Sequence, residues 1–291
     1  MTELKAPVRA AAFVAGLAVV LAAALGVGRL VGPVDVEAAP AHSDGHADEH
    51  GEEHGEERAQ ADDYRLELPE VRFAEGDQPF AFTVVGPDGP LTSYDVSHER
   101  DLHLIVVRRD LTGFQHLHPS LDESTGEWTT EVALEPGSWR AYADFVPAGG
   151  EQVVLAADVL VEGDAEAQPL GEDLLGVSVD GYDVTLRLDD FEGEETRAIV
   201  TVMRDGAEVT DLGQYLGELG HLVVLRDGDL SYIHGHPVGT TGTGPVIPFD
   251  VTFPSSGRYR LFVEFEHGGA VHTAAFTATV ETEGSGHEHE H

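Results

Sequence analysis

The sequence predicts an all-β protein in which two tandem β-sandwich domains follow an N-terminal transmembrane helix and a disordered His-rich linker. Three observations lead to this prediction. From residue 64 onward, short runs of β-branched and aromatic residues alternate with Gly, Pro and Asp turn signals, as in sandwiches and barrels. Two stretches of this region repeat each other. The N-terminal region, in contrast, contains a long uncharged run that suits a membrane span.

The composition of the chain excludes several classes of protein. Acidic residues outnumber basic ones 54 to 16 among 291 residues, which gives a formal net charge of −38. Nucleic-acid binding requires a basic face, so it is excluded, and cations are the natural small partners of such a chain. There is no cysteine, so disulfides, thiolate nucleophiles and Cys-based metal sites are excluded as well. Histidine, with 16 residues, is left as the abundant metal-binding side chain.

Residues 1–32 are predicted to form a signal anchor that crosses the membrane once. The uncharged stretch 10–28 would span about 28 Å as a helix. Lys5 and Arg9 precede it, so the positive-inside rule places the bulk of the chain outside the cell membrane. A signal peptide cleaved at Ala39-Pro40-Ala41, which would leave a secreted protein, is one alternative. A buried soluble helix is another.

Residues 33–63 are predicted to be a disordered, acidic linker. Between residues 41 and 63 no apolar side chain is larger than alanine, so the segment cannot bury enough surface to offset its chain entropy. Histidines of this linker and of the tail, residues 283–291, alternate with carboxylates, a composition typical of weak, exchangeable metal binding. A merely solubilising role is the alternative. These histidines are His42, His46, His50, His54, His287, His289 and His291.

Residues 64–162 and 170–282 are predicted to form the two sandwich domains, joined by a polar stretch. Hairpin turns are predicted at Asp88-Gly89 and Asp205-Gly206, since Asp-Gly between β-branched runs is a strong hairpin signal. The segment DLHLIVVRRDLTGFQHLHP (101–119) aligns without a gap with LGHLVVLRDGDLSYIHGHP (219–237), and the register continues into PGSWRAYADF and SGRYRLFVEF. The two domains are therefore an internal duplication.

The aligned repeats place three histidines and one carboxylate at matching positions. Residues i and i+2 of a strand point to the same face, so each His-x-His pair presents two imidazoles side by side. The third histidine lies upstream at a distance that suits the neighbouring strand of a hairpin, and the carboxylate lies on a further strand. The predicted metal ligands are His103, His116, His118 and Asp144 in the first domain, and His221, His234, His236 and Glu264 in the second.

Three neutral imidazole nitrogens suit copper, as Cu(II), or zinc. A structural role for the triads is the alternative, because duplication of one ancestral unit explains the shared spacing without a metal. His98, His267 and His272 have no counterpart in the other repeat and are either supporting groups or ordinary surface residues. The chain lacks nucleotide, phosphate-loop, G-x-S-x-G and H-E-x-x-H motifs, so an enzyme is not expected.

The segment SHERDLHLIVVRRDLTGFQHLHP (97–119) resembles a motif of bacterial extracytoplasmic immunoglobulin-like domains, among them YtkA-like proteins. YLGELGHLVVLRDGDLSYIHGHP (215–237) is similar to its second-domain version in actinobacterial membrane-anchored heavy-metal-binding-domain proteins. The resemblance covers residues 64–282 and implies immunoglobulin-like sandwiches that handle copper or a related metal outside the membrane. Gly235 inside the second His-x-His, and Leu216 in place of His98, depart from the pattern and imply a looser second site.

These features together predict a membrane-anchored extracytoplasmic protein that binds Cu(II), or less favourably Zn(II), as a chaperone or buffer with one three-His site per domain. The alternative is a structural or interaction module without metal. The geometry of the histidines separates the two predictions. Ring nitrogens more than about 5 Å apart would favour the structural module, since metal–nitrogen bonds are about 2.0–2.1 Å long.

Overall fold

The chain folds into two repeated, immunoglobulin-like β-sandwich domains, as the sequence predicts. A computed structural model describes residues 63–190, 195–239 and 242–281, and the regular elements of these residues are twenty β-strands. The predicted signal anchor, the tail and all of the linker but its last residue lie outside the described residues. Within those residues, no helix has the length and apolar character needed to cross a membrane.

The first domain packs a five-stranded sheet against a six-stranded sheet. Its strands are β1 (Arg65–Glu67), β2 (Arg72–Phe73), β3 (Gly76–Gly86), β4 (Gly89–Pro90), β5 (Tyr94–Asp95), β6 (Leu102–Arg108), β7 (Gln115–Leu117), β8 (Ser120–Asp122), β9 (Glu127–Leu134), β10 (Gly137–Pro147) and β11 (Val153–Val161). One sheet has the order β1-β3-β9-β8, with β4 beside β3. The other has the order β2-β11-β10-β6-β7, with β5 beside β10.

The second domain is built from one nine-stranded sheet. Its strands are β12 (Gly176–Val179), β13 (Tyr182–Asp190), β14 (Glu195–Arg204), β15 (Ala207–Glu208), β16 (His221–Arg226), β17 (Tyr232–Pro237), β18 (Val246–Thr252), β19 (Gly257–His267) and β20 (Ala270–Val280). The order is β12-β13-β14-β18-β17-β16-β19-β20, with β15 beside β14. Strand β17 pairs with both β16 and β18 and so joins the two halves of this sheet. In the first domain the equivalent segment is interrupted at His118-Pro119, and its two parts, β7 and β8, belong to different sheets.

Both predicted Asp-Gly hairpins are present. Gly86 pairs with Gly89 across the first turn, and Arg204 pairs with Ala207 across the second. Gly206 has a φ of +75°, a backbone conformation that glycine adopts without steric cost. The turn chemistry of the sequence therefore fixes the ends of β3 and β14 as predicted.

Strands β6 and β16 are buried on both faces, which explains why each reads as a continuous apolar run. Leu104 and Val106 of β6 point into the core of the first domain, while Ile105 and Val107 point to the opposite face. That opposite face packs against the second domain, in a shared cluster with Val223 and Leu225 of β16. A strand covered on both sides loses the apolar–polar alternation of a half-exposed strand.

Aromatic pairs bind the two domains together with approximate two-fold symmetry. Phe114 stacks on Phe262 with ring centroids 4.1 Å apart, and Tyr232 packs on Tyr142 at 5.2 Å. In the aligned repeats Phe114 corresponds to Tyr232, and Tyr142 to Phe262, so the second contact repeats the first with the domains exchanged. The Tyr142 hydroxyl also donates a hydrogen bond of 2.6 Å to the Leu230 carbonyl. Both domains belong to one compact unit.

The segment between the domains is held at both ends. The Gln168 amide donates a hydrogen bond of 3.0 Å to the Asp110 carboxylate in the first domain. Leu174 forms a β-bridge with Thr277, and the Thr279 hydroxyl donates to Asp173 over 2.8 Å, both in the second domain. These contacts help to fix the orientation in which the two histidine-bearing strands face each other.

Candidate metal centre

The β6–β7 hairpin brings the first histidine triad together. His103 lies on β6 and His116 on β7, and the register pairs Ile105 with His116. His118 follows β7 directly, two residues after His116, where Pro119 ends regular pairing. One ring nitrogen from each of His103, His116 and His118 lies within 4.8 Å of the others. The hairpin predicted from the spacing therefore forms, and its three imidazoles meet.

The second repeat builds the same hairpin from β16 and β17. Val223 pairs with His234, and His221 pairs with Glu264 of β19, as His103 pairs with Asp144 of β10. Glycine at position 235 has a packing reason, because a Cβ there would lie 2.6 Å from Leu222 Cδ2. Glycine therefore replaces the Leu117 of the first repeat because a larger side chain at this position would collide with Leu222 in the core of the second domain.

The two hairpins face each other across the domain interface, so their histidines form one cluster. His103 stacks on His221, its counterpart, with ring centroids 5.5 Å apart and an interplanar angle of 18°. His116 lies 4.7 Å from His221 between ring centroids. We call this group the interdomain histidine cluster; its described members are His98, His103, His116, His118, His221, His234 and His236.

Each of the two predicted carboxylate ligands accepts a hydrogen bond from a histidine of the other domain. Glu264 accepts a hydrogen bond of 2.5 Å from His116 Nδ1. Asp144 accepts one of 3.0 Å from His234 Nδ1 and another of 2.9 Å from the Tyr232 hydroxyl. Glu264 also lies 4.0 Å from His221 Nδ1 of its own triad. The assignment of Asp144 to the first triad and of Glu264 to the second stays a prediction. The contacts between domains arise because the two histidine-bearing hairpins face each other.

The ligand atoms of the second triad are arranged differently from those of the first. A second metal-compatible group consists of His116, His221 and Glu264, and thus draws from both domains. His234 uses its Nδ1 on Asp144, while the His236 side chain lies in an exposed position. Among the described residues, one metal-compatible group therefore lies within the first domain and the other draws its residues from both domains.

His98 joins the cluster although the repeat gives no hint of it. Its ring stacks on His234 with centroids 5.1 Å apart and an interplanar angle of 16°. The backbone of His98 has a φ of +46°, and Leu216 at the aligned position has a φ of +57°, so the turn is conserved between repeats while the side chain is not. His267 and His272 instead bond to Tyr182 and Asp180 of the second domain.

Burial keeps several of these imidazoles neutral at pH 7. Burial and the nearby His116 lower the pKa of His103 to about 4 and that of His118 to about 3. The same two causes lower the pKa of His221 well below its ordinary value. Neutral imidazole is the form that binds metal ions. Asp144 is ionised, because the hydrogen bonds from His234, Gln152 and Tyr232 outweigh the effect of burial and lower its pKa.

His103 and His116 make three consecutive short contacts, and these need one hydrogen more than two neutral imidazole rings carry. His103 Nε2 lies 3.0 Å from the Ser97 carbonyl oxygen, His103 Nδ1 lies 2.9 Å from His116 Nε2, and His116 Nδ1 lies 2.5 Å from Glu264. Each contact needs one hydrogen, since carbonyl and carboxylate oxygens only accept. Two neutral imidazoles supply two hydrogens. The third contact therefore needs either an added proton or a cation in place of that proton.

Several ring nitrogens of the cluster are buried without a hydrogen-bond partner among the described residues. They are His118 Nε2, His234 Nε2 and both ring nitrogens of His221. Buried polar atoms are nearly always paired in native proteins. Unpaired ring nitrogens are expected of histidines that bind a metal ion, and His118 and His221 each belong to a group whose ligand atoms lie within 4.8 Å of one another. The cluster therefore contains candidate groups for holding a metal ion.

The internal duplication is also visible at the level of the protein family. A family described as "Domain of unknown function (DUF8832)" matches residues 59–163 and, a second time, residues 177–282. The chain belongs to this family. The two DUF8832 matches coincide with the two sandwich domains and so confirm the repeat. The finer resemblance to YtkA-like and heavy-metal-binding-domain proteins stays a prediction, and no curated protein matches the chain.

The solved structures that match this DUF8832 protein include three with low sequence identity. A DUF4426 family protein from Pseudomonas aeruginosa PAO1 is 10% identical and covers 36% of this chain and 96% of its own, with a TM-score of 0.30. A chimeric titin Z1Z2 fragment is 16% identical over 76% of this chain and 97% of its own, with a TM-score of 0.21. A Corynebacterium diphtheriae protein, described as a proposed membrane-anchored protein, is 9% identical over 76% of this chain and 59% of its own, with a TM-score of 0.24.

Proposed function

We propose that the protein binds a divalent transition-metal ion at the interdomain histidine cluster, with His103, His116 and His118 as its ligands. The observation that carries the proposal is the pair of facing nitrogens, His103 Nδ1 and His116 Nε2, 2.9 Å apart. In this position a metal ion would supply the positive charge that the chain of contacts requires. His118, whose Nε2 is buried and unpartnered among the described residues, provides the third nitrogen.

The choice of Cu(II) ahead of Zn(II) follows from the chemistry of the ligands. Nitrogen ligands of a given site bind Cu(II) more tightly than Zn(II). Two nitrogens at 2.0–2.1 Å from one ion are about 2.9 Å apart when they subtend a right angle, and about 3.3 Å apart at a tetrahedral angle. The 2.9 Å between His103 Nδ1 and His116 Nε2 is therefore close enough for both to bind one ion.

The rest of the chain supports a role in metal capture outside the membrane, as a chaperone or buffer and not as an enzyme. A formal net charge of −38 attracts divalent cations over long range. The His-rich linker and tail offer weak, exchangeable sites, from which an ion would pass to the cluster. The uncharged stretch 10–28 would anchor the protein to the cell membrane and keep the domains on its outer side.

Calorimetric titration of the full chain in detergent at pH 7.5 tests the proposal. The background is a "tail variant" in which the seven histidines of the linker and tail are replaced by asparagine, so that weak sites do not contribute. We expect saturable Cu(II) binding, and at least about a tenfold loss of affinity in His118→Gln. His272→Gln, outside the cluster, is the matched control and should bind as the background does. Absence of saturable binding of Cu(II), Zn(II) and Ni(II) would reject the proposal.

A structural or interaction module is the second candidate, and one observation favours it. The pairs His116–Glu264 and His234–Asp144 join the domains by hydrogen bonds and need no metal ion to do so. In that case the histidines serve to fix the domain orientation. The same titration separates the two functions, because a purely structural cluster would give no heat of binding when metal ion is added to the tail variant.

A further inference from the structure

His116 presents its two ring nitrogens to two different groups of ligands. Its Nε2 lies 2.9 Å from His103 Nδ1 within the first domain. Its Nδ1 lies 2.5 Å from Glu264 Oε2, which belongs to the second domain. The His116 side chain is fully buried, so neither nitrogen is turned to solvent. His116 is also the one residue shared by the two metal-compatible groups of the described residues.

The second group has ligand atoms at a spacing that suits an ion. His221 Nδ1 and Glu264 Oε2 lie 4.0 Å apart, so an ion midway between them would be about 2.0 Å from each, the length of a metal–nitrogen or metal–oxygen bond. The His221 side chain is only 2% exposed, and neither of its ring nitrogens has a hydrogen-bond partner among the described residues. A fully buried, unpaired imidazole beside a carboxylate is an independent sign of a ligand at this place.

We propose that His116 bridges two metal ions, one held with His103 and His118 and the other with His221 and Glu264 across the domain interface. This inference rests on the proposed function and extends it to a dinuclear centre. With both ions bound, the ring of His116 would have given up its remaining N–H proton, by way of the adjacent Glu264 carboxylate to bulk solvent, and as an imidazolate would hold one ion through each nitrogen. The negative charges of the imidazolate, Glu264 and Asp144 offset the repulsion between the two cations.

The bridge makes the second ion depend on both domains. His116 comes from β7, while His221 and Glu264 come from β16 and β19. Neither domain alone contains all three ligands. The centre would therefore load fully only in the face-to-face arrangement that the aromatic pairs maintain.

Metal stoichiometry and low-temperature electron paramagnetic resonance of the full chain, in the tail-variant background, test the bridge. With Cu(II) in excess followed by desalting, we expect two ions per chain and a signal well below that of two independent spins, because an imidazolate bridge couples them. His221→Gln should retain one ion and regain the full signal of one spin. His272→Gln, the matched control, should keep two coupled ions.

The outcomes distinguish this inference from the function on which it rests. Two ions with the full intensity of two spins, or a single ion in the tail variant without further substitution, would overturn the bridge. The proposed function would stand in either case if His118→Gln lowers the affinity for a bound ion. No bound ion would overturn both. The measurement on the background protein decides the question even where His221→Gln does not fold.

Discussion

Acid should destabilise the metal-free protein through His103, and the structure gives the size of the effect. The residue is only 2% exposed, and its pKa is lowered from 6.5 to about 4, mainly by burial and by His116. Between these two values the unfolded chain binds a proton that the folded protein excludes. The contribution to stability is therefore complete above pH 6.5 and is lost as the pH falls towards 4.

The expected loss follows from the two pKa values. One pKa unit corresponds to 1.36 kcal/mol, so His103 alone should account for about 2 kcal/mol of lost unfolding free energy at pH 5 and for about 3 kcal/mol at pH 4. Asp144, whose pKa is also lowered in the folded protein, adds to the loss at lower pH, because its protonation weakens the hydrogen bonds that it accepts. A single profile of stability against pH would mix the two effects.

Comparison with His103→Gln isolates the effect of His103 protonation on the free energy of unfolding. Glutamine keeps an amide that can donate to the Ser97 carbonyl but does not titrate. Urea unfolding in EDTA at pH 7, 6 and 5 should show the wild-type protein losing about 2 kcal/mol of its advantage over the variant between pH 7 and 5. His272→Gln should follow the wild type. An advantage that stays constant over this range, or grows at lower pH, would refute the reasoning.

Three further predictions concern packing and metal binding. Phe262→Ala removes the ring that stacks on Phe114 at the domain interface and should cost about 3–4 kcal/mol in urea unfolding; a loss below about 1 kcal/mol would contradict this interface. Gly235→Ala places a Cβ 2.6 Å from Leu222 and should cost about 1–3 kcal/mol, whereas Gly176→Ala, whose Cβ meets nothing nearer than 3.9 Å, should cost less. Free Cu(II) at a hundred times its dissociation constant should stabilise the tail variant by about 2.7 kcal/mol for each bound ion in thermal unfolding, reversed by EDTA, and His116→Gln, which removes the residue common to both groups, should abolish the gain.

The local architecture of the candidate site is predictable from the sequence. The separation of His103 from His116 matches the two strands of one hairpin, and the i, i+2 spacing predicts that His118 lies near His116. The duplication then predicts a second hairpin around His221. These predictions depend only on strand periodicity and turn chemistry, which act over short stretches of chain.

The meeting of the two hairpins is a tertiary event that periodicity alone does not specify. The runs LIVV and LVVL are apolar on both faces, which indicates a covered outer face, but nothing in the runs says that each covers the other. The hydrogen bonds that Asp144 and Glu264 accept from the other domain follow from that packing. The sequence leaves His98 open between a supporting group and a surface residue, because it lies in a turn with a left-handed backbone and has no histidine at the aligned position.

The most direct test of the central claim is to locate the ion. Crystals of the tail variant grown with Cu(II) at pH 7.5 would be measured at the copper absorption edge, and the anomalous difference map would be calculated without a metal in the phases. The account predicts a peak within bonding distance, about 2.0–2.1 Å, of ring nitrogens of His103, His116 and His118. A map whose peaks all lie away from these three imidazoles would contradict it.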